Sequence, residues 1–152
     1  MSTRMLLRRW TLAVGLGLFT CAAQTQSTAP ADDSLYREFG GKRGFSVLVD
    51  DFLRRLLADE RMNPFFKDAD HPRFKEQLAI QLCQVSGGPC ALEKPDMKKP
   101  HSGLDITRGD FNALVEVLQA SMDAQGLAFA SQNRLLARLA PMHRDIVNTP
   151  AP

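Results

Sequence analysis

The sequence lacks the patterns on which several common kinds of site and fold depend. It has only three histidines and three cysteines, and neither set has the close spacing of a zinc site. Cys83 and Cys90, the two neighbouring cysteines, do not form a C-x-x-C motif. Strand-like alternation of apolar residues is scarce, and no internal repeat or low-complexity block is present. A zinc domain, a repeat protein and a β-rich fold are therefore not expected.

Long apolar runs are also missing. The N-terminal run, residues 10–19, is about half of the roughly 20 residues that a membrane-spanning helix requires. It follows Arg4, Arg8 and Arg9 and precedes small and polar residues, which is the order found in a secretory signal peptide. We therefore expect residues 1–23 to be a signal peptide, the alternative being an N-terminal helix docked on the body.

The chain has no net positive charge outside this leader. Setting its three arginines aside leaves 16 of the 19 basic residues against 17 acidic ones, a net charge of −1 for the remaining chain. Non-specific binding to nucleic acid needs a broad basic field. No nucleic-acid partner is therefore expected.

The leader leaves two routes of processing open. Cys21 follows Leu18, Phe19 and Thr20, and this segment resembles a lipoprotein box, in which the cysteine is lipidated and becomes the new N-terminus. Ordinary cleavage near Ala23 is the alternative. Both routes predict an exported protein that is periplasmic, either soluble or anchored by lipid at the membrane surface.

Helical periodicity dominates the rest of the chain. The polar, small residues 24–33 predict a flexible tether and residues 148–152 a frayed tail, which leaves a folded body over residues 34–147. Apolar residues in that body recur at positions i, i+3, i+4 and i+7, so the predicted fold class is all-α. The predicted helices cover residues 35–39 with Ser34 as the N-cap, 44–58, 71–86, 108–125 and 131–147.

Local signals set the ends of these helices. Pro72 suits the first turn of a helix that begins after Asp70, and Thr107 with Asp110 fits a capping box. The segment Gly87-Gly88-Pro89 ends the middle helix, and three prolines predict a loop over residues 89–100. Pro141 should bend the last helix.

The three histidines are candidate functional residues, but spacing alone singles out none of them. His71 stands at a predicted helix start, where capping or solvent exposure is usual. His143 flanks the apolar stripe of the last helix, which is typical of a surface or groove position. His101 lies between the proline-containing loop and the capped helix, and by itself this is an ordinary loop position.

The order and spacing of several motifs resemble the truncated haemoglobins, most closely their first group. The resemblance covers residues 34–147. It is carried by Leu35-Tyr36, Phe39-Gly40-Gly41, residues 49–52 and 57–59, Phe65-Phe66, Gly87-Gly88-Pro89, Met97 with His101, and residues 140–147. It implies a two-over-two helical sandwich around a b-type haem with its iron.

The same resemblance assigns roles on the haem-binding side. His101 corresponds to the proximal iron ligand, whose second ring nitrogen should donate to a backbone carbonyl. Phe66 should stack on the haem. Other residues should line the proximal side, with ordinary core packing as the alternative: Met97, Ile106, Phe111 and Val115. Arg73 and Lys98 are candidates to pair with the haem propionates, or are simply surface charges.

The distal side departs from the family pattern. Leu53 stands where the family commonly has tyrosine, and Phe74 and Leu78 take the two usual positions on the distal helix. The only tyrosine of the chain, Tyr36, lies in the lead helix. Gln77 and Gln81 remain as polar candidates. A largely apolar pocket is therefore expected, with fast oxygen release and a preference for ligands such as nitric oxide or carbon monoxide.

These residues lead to one principal functional hypothesis and two alternatives. The principal one is a monomeric haem protein that binds oxygen or another diatomic gas reversibly. The first alternative is an enzyme, a nitric-oxide dioxygenase or a peroxidase-like protein, with a reductase as partner. The second is a haemless helical adaptor at the cell envelope. In an exported protein Cys83 and Cys90 are expected to form a disulfide, or else one buried and one exposed thiol.

Overall fold

The computed structural model describes residues 32–90 and 96–149, and within them it contains helices and no strand. The all-α prediction is confirmed. The helices are α1 Ser34–Glu38, α2 Gly41–Ala58, α3 Asn63–Phe66, α4 His71–Val85, α5 Lys98–His101, α6 Arg108–Ala124, α7 Phe129–Leu139 and α8 His143–Ile146, with a 3₁₀ turn at Ala140–Met142. None of these described helices has the length and apolar character needed to cross a membrane. The predicted signal peptide and residues 24–31 of the tether lie outside the described residues.

The long helices form two layers around one core. Helix α2 packs against α4 and α6, and α7 packs against α1, α4 and α6. Apolar side chains from both layers meet in this core and are almost fully buried: Leu35, Phe45, Leu48, Val49, Leu56, Met62, Leu82, Met122 and Leu135. Burial of each such side chain contributes about 1.5–3 kcal/mol, so this cluster accounts for much of the driving force for folding.

Two helix starts follow the local signals in the sequence. The Asp70 carboxylate accepts a hydrogen bond from the Arg73 amide at 3.1 Å, which caps α4. Thr107 and Asp110 form the reciprocal capping box at the start of α6, since Thr107 Oγ1 accepts from the Asp110 amide at 3.2 Å and Asp110 Oδ2 accepts from the Thr107 amide at 2.9 Å. Hydrogen bonds from the Thr107 side chain and amide hold the pKa of the Asp110 carboxyl below its usual value.

Several boundaries differ from the sequence predictions. Helix α2 begins at Gly41 and α7 at Phe129, each a few residues before its predicted start. Ser34 is the first residue of α1 and not its N-cap, and its amide donates to Asp32 Oδ1 at 3.0 Å. The predicted loop over residues 89–100 contains the start of α5. The last predicted helix is divided into α7, the 3₁₀ turn and α8, because Pro141 has no amide hydrogen to continue the helical pattern.

The turn after α4 is built on two glycines. Gly87 has φ +87°, and a Cβ there would lie 2.2 Å from the Asp32 carbonyl oxygen. A Cβ on Gly88 would lie 2.4 Å from the Tyr36 ring and 2.7 Å from Cys83 Sγ. Cys83 and Cys90 flank this turn and are joined by a disulfide, with their Cα atoms 5.9 Å apart. Glycine is therefore required for α1 to pack closely over the turn.

Candidate functional site

His101 is the last residue of α5, and a short cap positions that helix. Asp96 Oδ1 accepts hydrogen bonds from the amides of Lys98 at 3.1 Å and Lys99 at 3.3 Å. Pro100 lies within this first turn, where a proline costs no intrahelical hydrogen bond. The sequence around His101 thus forms one compact helical turn that presents a half-buried imidazole.

The orientation of the imidazole is set by one hydrogen bond. Nδ1 of His101 lies 2.6 Å from the backbone carbonyl oxygen of Met97. A carbonyl only accepts, so Nδ1 donates to it, and in the neutral imidazole Nε2 then has the free lone pair. Nε2 makes no hydrogen bond with any residue in the described ranges. A neutral imidazole held in this way is suited to ligate a metal through Nε2.

The side chains that can bind metals are dispersed in the described part of the chain. Residues 32–90 and 96–149 contain no group of three or more histidine, cysteine or acidic side chains that can hold a metal ion. A haem would bring further ligands for an iron held by His101.

The segment after α5 is fastened by a residue from the C-terminal region. Asn148 Nδ2 donates to the His101 carbonyl at 2.7 Å, and Asn148 Oδ1 accepts from the Ile106 amide at 2.7 Å. The amides of Asn148 and Thr149 both donate to the Ile106 carbonyl at 3.1 Å. We name this set of contacts the Asn148 clamp. The prediction of a frayed tail over residues 148–152 does not hold for Asn148 and Thr149. Both residues form hydrogen bonds with the 101–106 loop.

Some apolar side chains predicted to line the cofactor site lie outside the core, whereas Phe66, Phe74 and Leu78 pack against it. Leu53 and Ile106 are only 7% and 8% exposed, yet both lie outside the main core cluster. Other predicted lining residues are half-buried: Phe66, Phe74, Leu78, Met97, Phe111 and Val115. Phe66 and Phe74 meet edge to face, with ring centroids 5.3 Å apart. Large apolar side chains that remain half-buried are typical of the lining of a ligand cleft.

The two glutamine candidates lie in different environments. Gln77 is exposed on α4. Gln81, one turn further on, is half-buried, and its Nε2 lies 3.4 Å from Met97 Sδ and 3.1 Å from Met142 Sδ. Gln81 therefore joins α4 to the residue whose carbonyl orients His101. Its spacing from Phe74 and Leu78 places all three on one helix face, which is the signal that could have identified it.

The predicted rim cations are both at the surface. Lys98 Nζ lies 3.5 Å from Asp145 Oδ1, and the lysine side chain is 77% exposed. Arg73 is exposed and contributes its backbone amide to the cap of α4. Such exposed pairs contribute about 0–1 kcal/mol to stability, so neither cation is committed to a strong partner within the described residues.

The remaining histidines make local contacts. His71 Nε2 lies 2.8 Å from the Phe66 carbonyl oxygen and links α3 to the start of α4. The His143 ring packs edge to face against Phe111, with centroids 4.8 Å apart. Neither contact was evident from the sequence, because both depend on how the helices are arranged in space.

The chain matches known proteins over the same region. A family model described as bacterial-like globin matches residues 34–148. A group 1 truncated hemoglobin of Tetrahymena pyriformis is 27% identical over 114 residues, covering 75% of this chain and 94% of that protein. A group 1 truncated hemoglobin of Mycolicibacterium paratuberculosis is 29% identical over 124 residues, covering 82% and 90%.

Solved structures give the same relationship in three dimensions. The crystal structure of the Tetrahymena pyriformis protein in its Fe(III) form has a TM-score of 0.71, 27% identity, and covers 76% of this chain and 98% of that one. Solved variants of that protein replace one tyrosine and two glutamines that lie 21 and 25 positions after it. Leu53, Phe74 and Leu78 have the same separations here. The chain is therefore a truncated globin with the two-over-two fold, a member of the bacterial-like globin family.

Proposed function

We propose that this truncated globin is a haem protein that binds oxygen or another diatomic gas reversibly, with His101 as the iron ligand. One observation carries the proposal. His101 has its Nδ1 fixed on the Met97 carbonyl at 2.6 Å, while its Nε2 is free of hydrogen bonds to described residues. In the neutral imidazole this is the tautomer that axial ligation of a haem iron requires.

The surrounding residues fit a b-type haem. When bound, the haem supplies an iron that takes up small gases. The Met97 carbonyl makes the His101 imidazole more basic and fixes its tautomer. The half-buried rings of Phe66 and Phe111 provide apolar surface for the porphyrin. The exposed Lys98 and Arg73 are available as cationic partners for propionates.

The distal residues support fast release of oxygen. Leu53, Phe74 and Leu78 have no side-chain hydrogen-bond donor, so they exclude water without holding a polar ligand. A hydrogen bond to a charged group contributes about 1.5–3 kcal/mol, which corresponds to a roughly 10- to 100-fold slower escape where it is present. We therefore expect a preference for ligands that depend little on hydrogen bonding, such as carbon monoxide and nitric oxide. These three side chains also provide no acid–base group for peroxidase chemistry.

We also propose that the protein acts outside the cytoplasm, either soluble in the periplasm or anchored through Cys21. The proposal rests on the leader sequence over residues 1–23. The disulfide between Cys83 and Cys90 supports it, because structural disulfides are rare in reducing compartments.

The test of haem binding is a titration of the full chain with hemin, followed by ferric and ferrous absorbance spectra. The wild type is expected to show saturable uptake and a Soret band. His101→Gly should lose the ferrous spectrum of the wild type and regain one like it when imidazole is added, because free imidazole can occupy the vacated position. His71→Ala is the matched control, since His71 is bonded to the Phe66 carbonyl. An absence of saturable uptake by the wild type would support the haemless adaptor instead.

A further inference from the structure

Gln81 makes an unusual pair of contacts. Its side-chain nitrogen is within 3.4 Å of Met97 Sδ and 3.1 Å of Met142 Sδ. A thioether sulfur has no hydrogen to donate, so only the NH₂ end of the amide can face the two sulfurs. An NH₂ group has two N–H bonds, so it can donate one to each methionine. The carbonyl oxygen is the remaining polar atom of Gln81, and it cannot donate a hydrogen bond to a gas.

These contacts connect three separate elements of the fold. Gln81 belongs to α4, Met97 immediately precedes α5, and Met142 ends the 3₁₀ turn after α7. Met97 has two roles, because its side chain contacts Gln81 and its backbone carbonyl accepts the proton-bearing nitrogen of His101 at 2.6 Å. A displacement of Met97 therefore changes the orientation of the imidazole directly.

We propose that Gln81 is a positioning residue for the iron ligand, acting through Met97, and not a distal donor to the bound gas. This proposal extends the proposed haem function, and its effect on the iron depends on that function. Gln81 holds Met97 and Met142 together at one end of the site, so that the Met97 carbonyl stays in line with Nδ1 of His101. The distal helix α4 is thereby mechanically connected to the His101 side of the molecule.

The test compares three substitutions on α4 in the full chain. Gln81→Leu removes both N–H donors and keeps a side chain of similar size. Gln81→Glu keeps the shape, but its carboxylate oxygens cannot donate to sulfur. Gln77→Leu is the matched control on the exposed surface one turn away. Two further variants, Met97→Leu alone and Met97→Leu combined with Gln81→Leu, keep the Met97 backbone carbonyl and remove one of the two sulfurs.

Two measurements report on the imidazole itself. In the haem-free protein, nitrogen chemical shifts of the His101 ring give its tautomer. In the haem-loaded ferrous protein, the iron–histidine stretching band in resonance Raman spectra gives the strength and orientation of the bond. We expect both Gln81 variants to reduce the population of His101 with a proton on Nδ1 and to shift or broaden the iron–histidine band. We also expect haem loss to be about three- to tenfold faster. This is less than the effect of removing a direct hydrogen-bond partner of the ligand, because Gln81 acts through Met97.

The outcomes separate this proposal from the proposed function. Gln77→Leu is expected to behave as wild type, and the double variant to be little worse than Met97→Leu alone. The proposal is overturned if Gln81→Leu and Gln77→Leu give the same tautomer and the same Raman band. It is also overturned if Gln81→Leu changes only the oxygen dissociation rate, which would make it a distal donor. If the wild type binds no hemin, the proposed function fails, whereas the tautomer measurement still decides the role of Gln81.

Discussion

Reduction of the disulfide between Cys83 and Cys90 should lower the free energy of unfolding by a calculable amount. The bond closes a ring with a sequence separation of 7. In the chain-entropy model, a ring of this size restricts the unfolded chain enough to stabilise the folded state by about 2.5 kcal/mol. Cys83 is 1% exposed, and a buried thiol packs as a small apolar group. Reduction should therefore cause no further loss in the free energy of unfolding.

The expected loss is large for a domain of this size. It corresponds to a fall of about 10 °C in the melting temperature and of about 1–2 M in the urea midpoint. Other hydrogen bonds stabilise this turn after reduction, since the Gly88 amide and the Ser86 hydroxyl both donate to the Cys83 carbonyl at 2.8 Å. The fold should therefore survive reduction with its helices intact.

The assay is equilibrium urea unfolding, followed by circular dichroism, with and without a phosphine reductant. Haem occupancy must be the same in both samples, because a ligand of the native state adds its own stabilisation. Cys90→Ser is the control, since its stability should match that of the reduced wild type and should not respond to reductant. An unchanged urea midpoint on complete reduction, verified by the mass gain of two hydrogens, would refute the chain-entropy argument.

Three further predictions test other parts of the structure. Thr107→Ala should lower the unfolding free energy by about 1–2 kcal/mol, because it removes the capping box of α6, whereas Thr107→Ser should retain most of it in the same urea assay. Hydrogen bonds from Arg61 lower the pKa of Asp59 from 3.8 to about 2. Because this pKa is lowered in the folded state, the stabilisation is complete above pH 3.8 and is lost as the pH falls towards 2. Asp59→Asn should therefore make the free energy of unfolding less dependent on pH in this window. An unchanged pH dependence would contradict the assignment. Leu78→Gln should slow oxygen dissociation about 10- to 100-fold by adding a donor near the iron, measured by stopped-flow mixing, and a rate equal to wild type would mean that residue 78 does not face the ligand.

Local patterns predicted the parts of the fold that depend on neighbouring residues. The Asp70 cap and the capping box of Thr107 and Asp110 are readable because their partners lie three positions apart. Helical spacing was sufficient to identify the buried face of α2. On α6 it was only partly right: Leu118 and Met122 are buried as predicted, but Phe111, Leu114 and Val115 are half-buried, and Ala113, Val117 and Ser121 complete the buried face. Helix α5 was missed because three prolines suggested a loop, although a proline in the first turn of a helix is well tolerated.

Contacts between distant residues were beyond such reasoning. The sequence resemblance singled out His101 and a backbone carbonyl as its partner, and that carbonyl belongs to the nearby Met97. The supporting contacts are long-range: Asn148 is 47 positions from His101, and Gln81 and Met142 are 61 positions apart. Amide–thioether contacts have no periodic signature, so Gln81 could only be proposed as a polar candidate. The division of the last helix at Pro141 was foreseen as a bend, but its three-part form depends on packing against the rest of the fold.

The Asn148 clamp also has a consequence for how the protein is made. A nascent chain leaves the ribosome from its N-terminus, so His101 emerges 47 residues before the side chain that holds its carbonyl. Until Asn148 has been synthesised, the loop from His101 to Ile106 lacks two of the hydrogen bonds that shape it. Stable positioning of the 101–106 loop is thereby postponed to the end of translation of this domain, and a chain stopped just before Asn148 would have the described helices α1 to α8 but a loop without the Asn148 clamp.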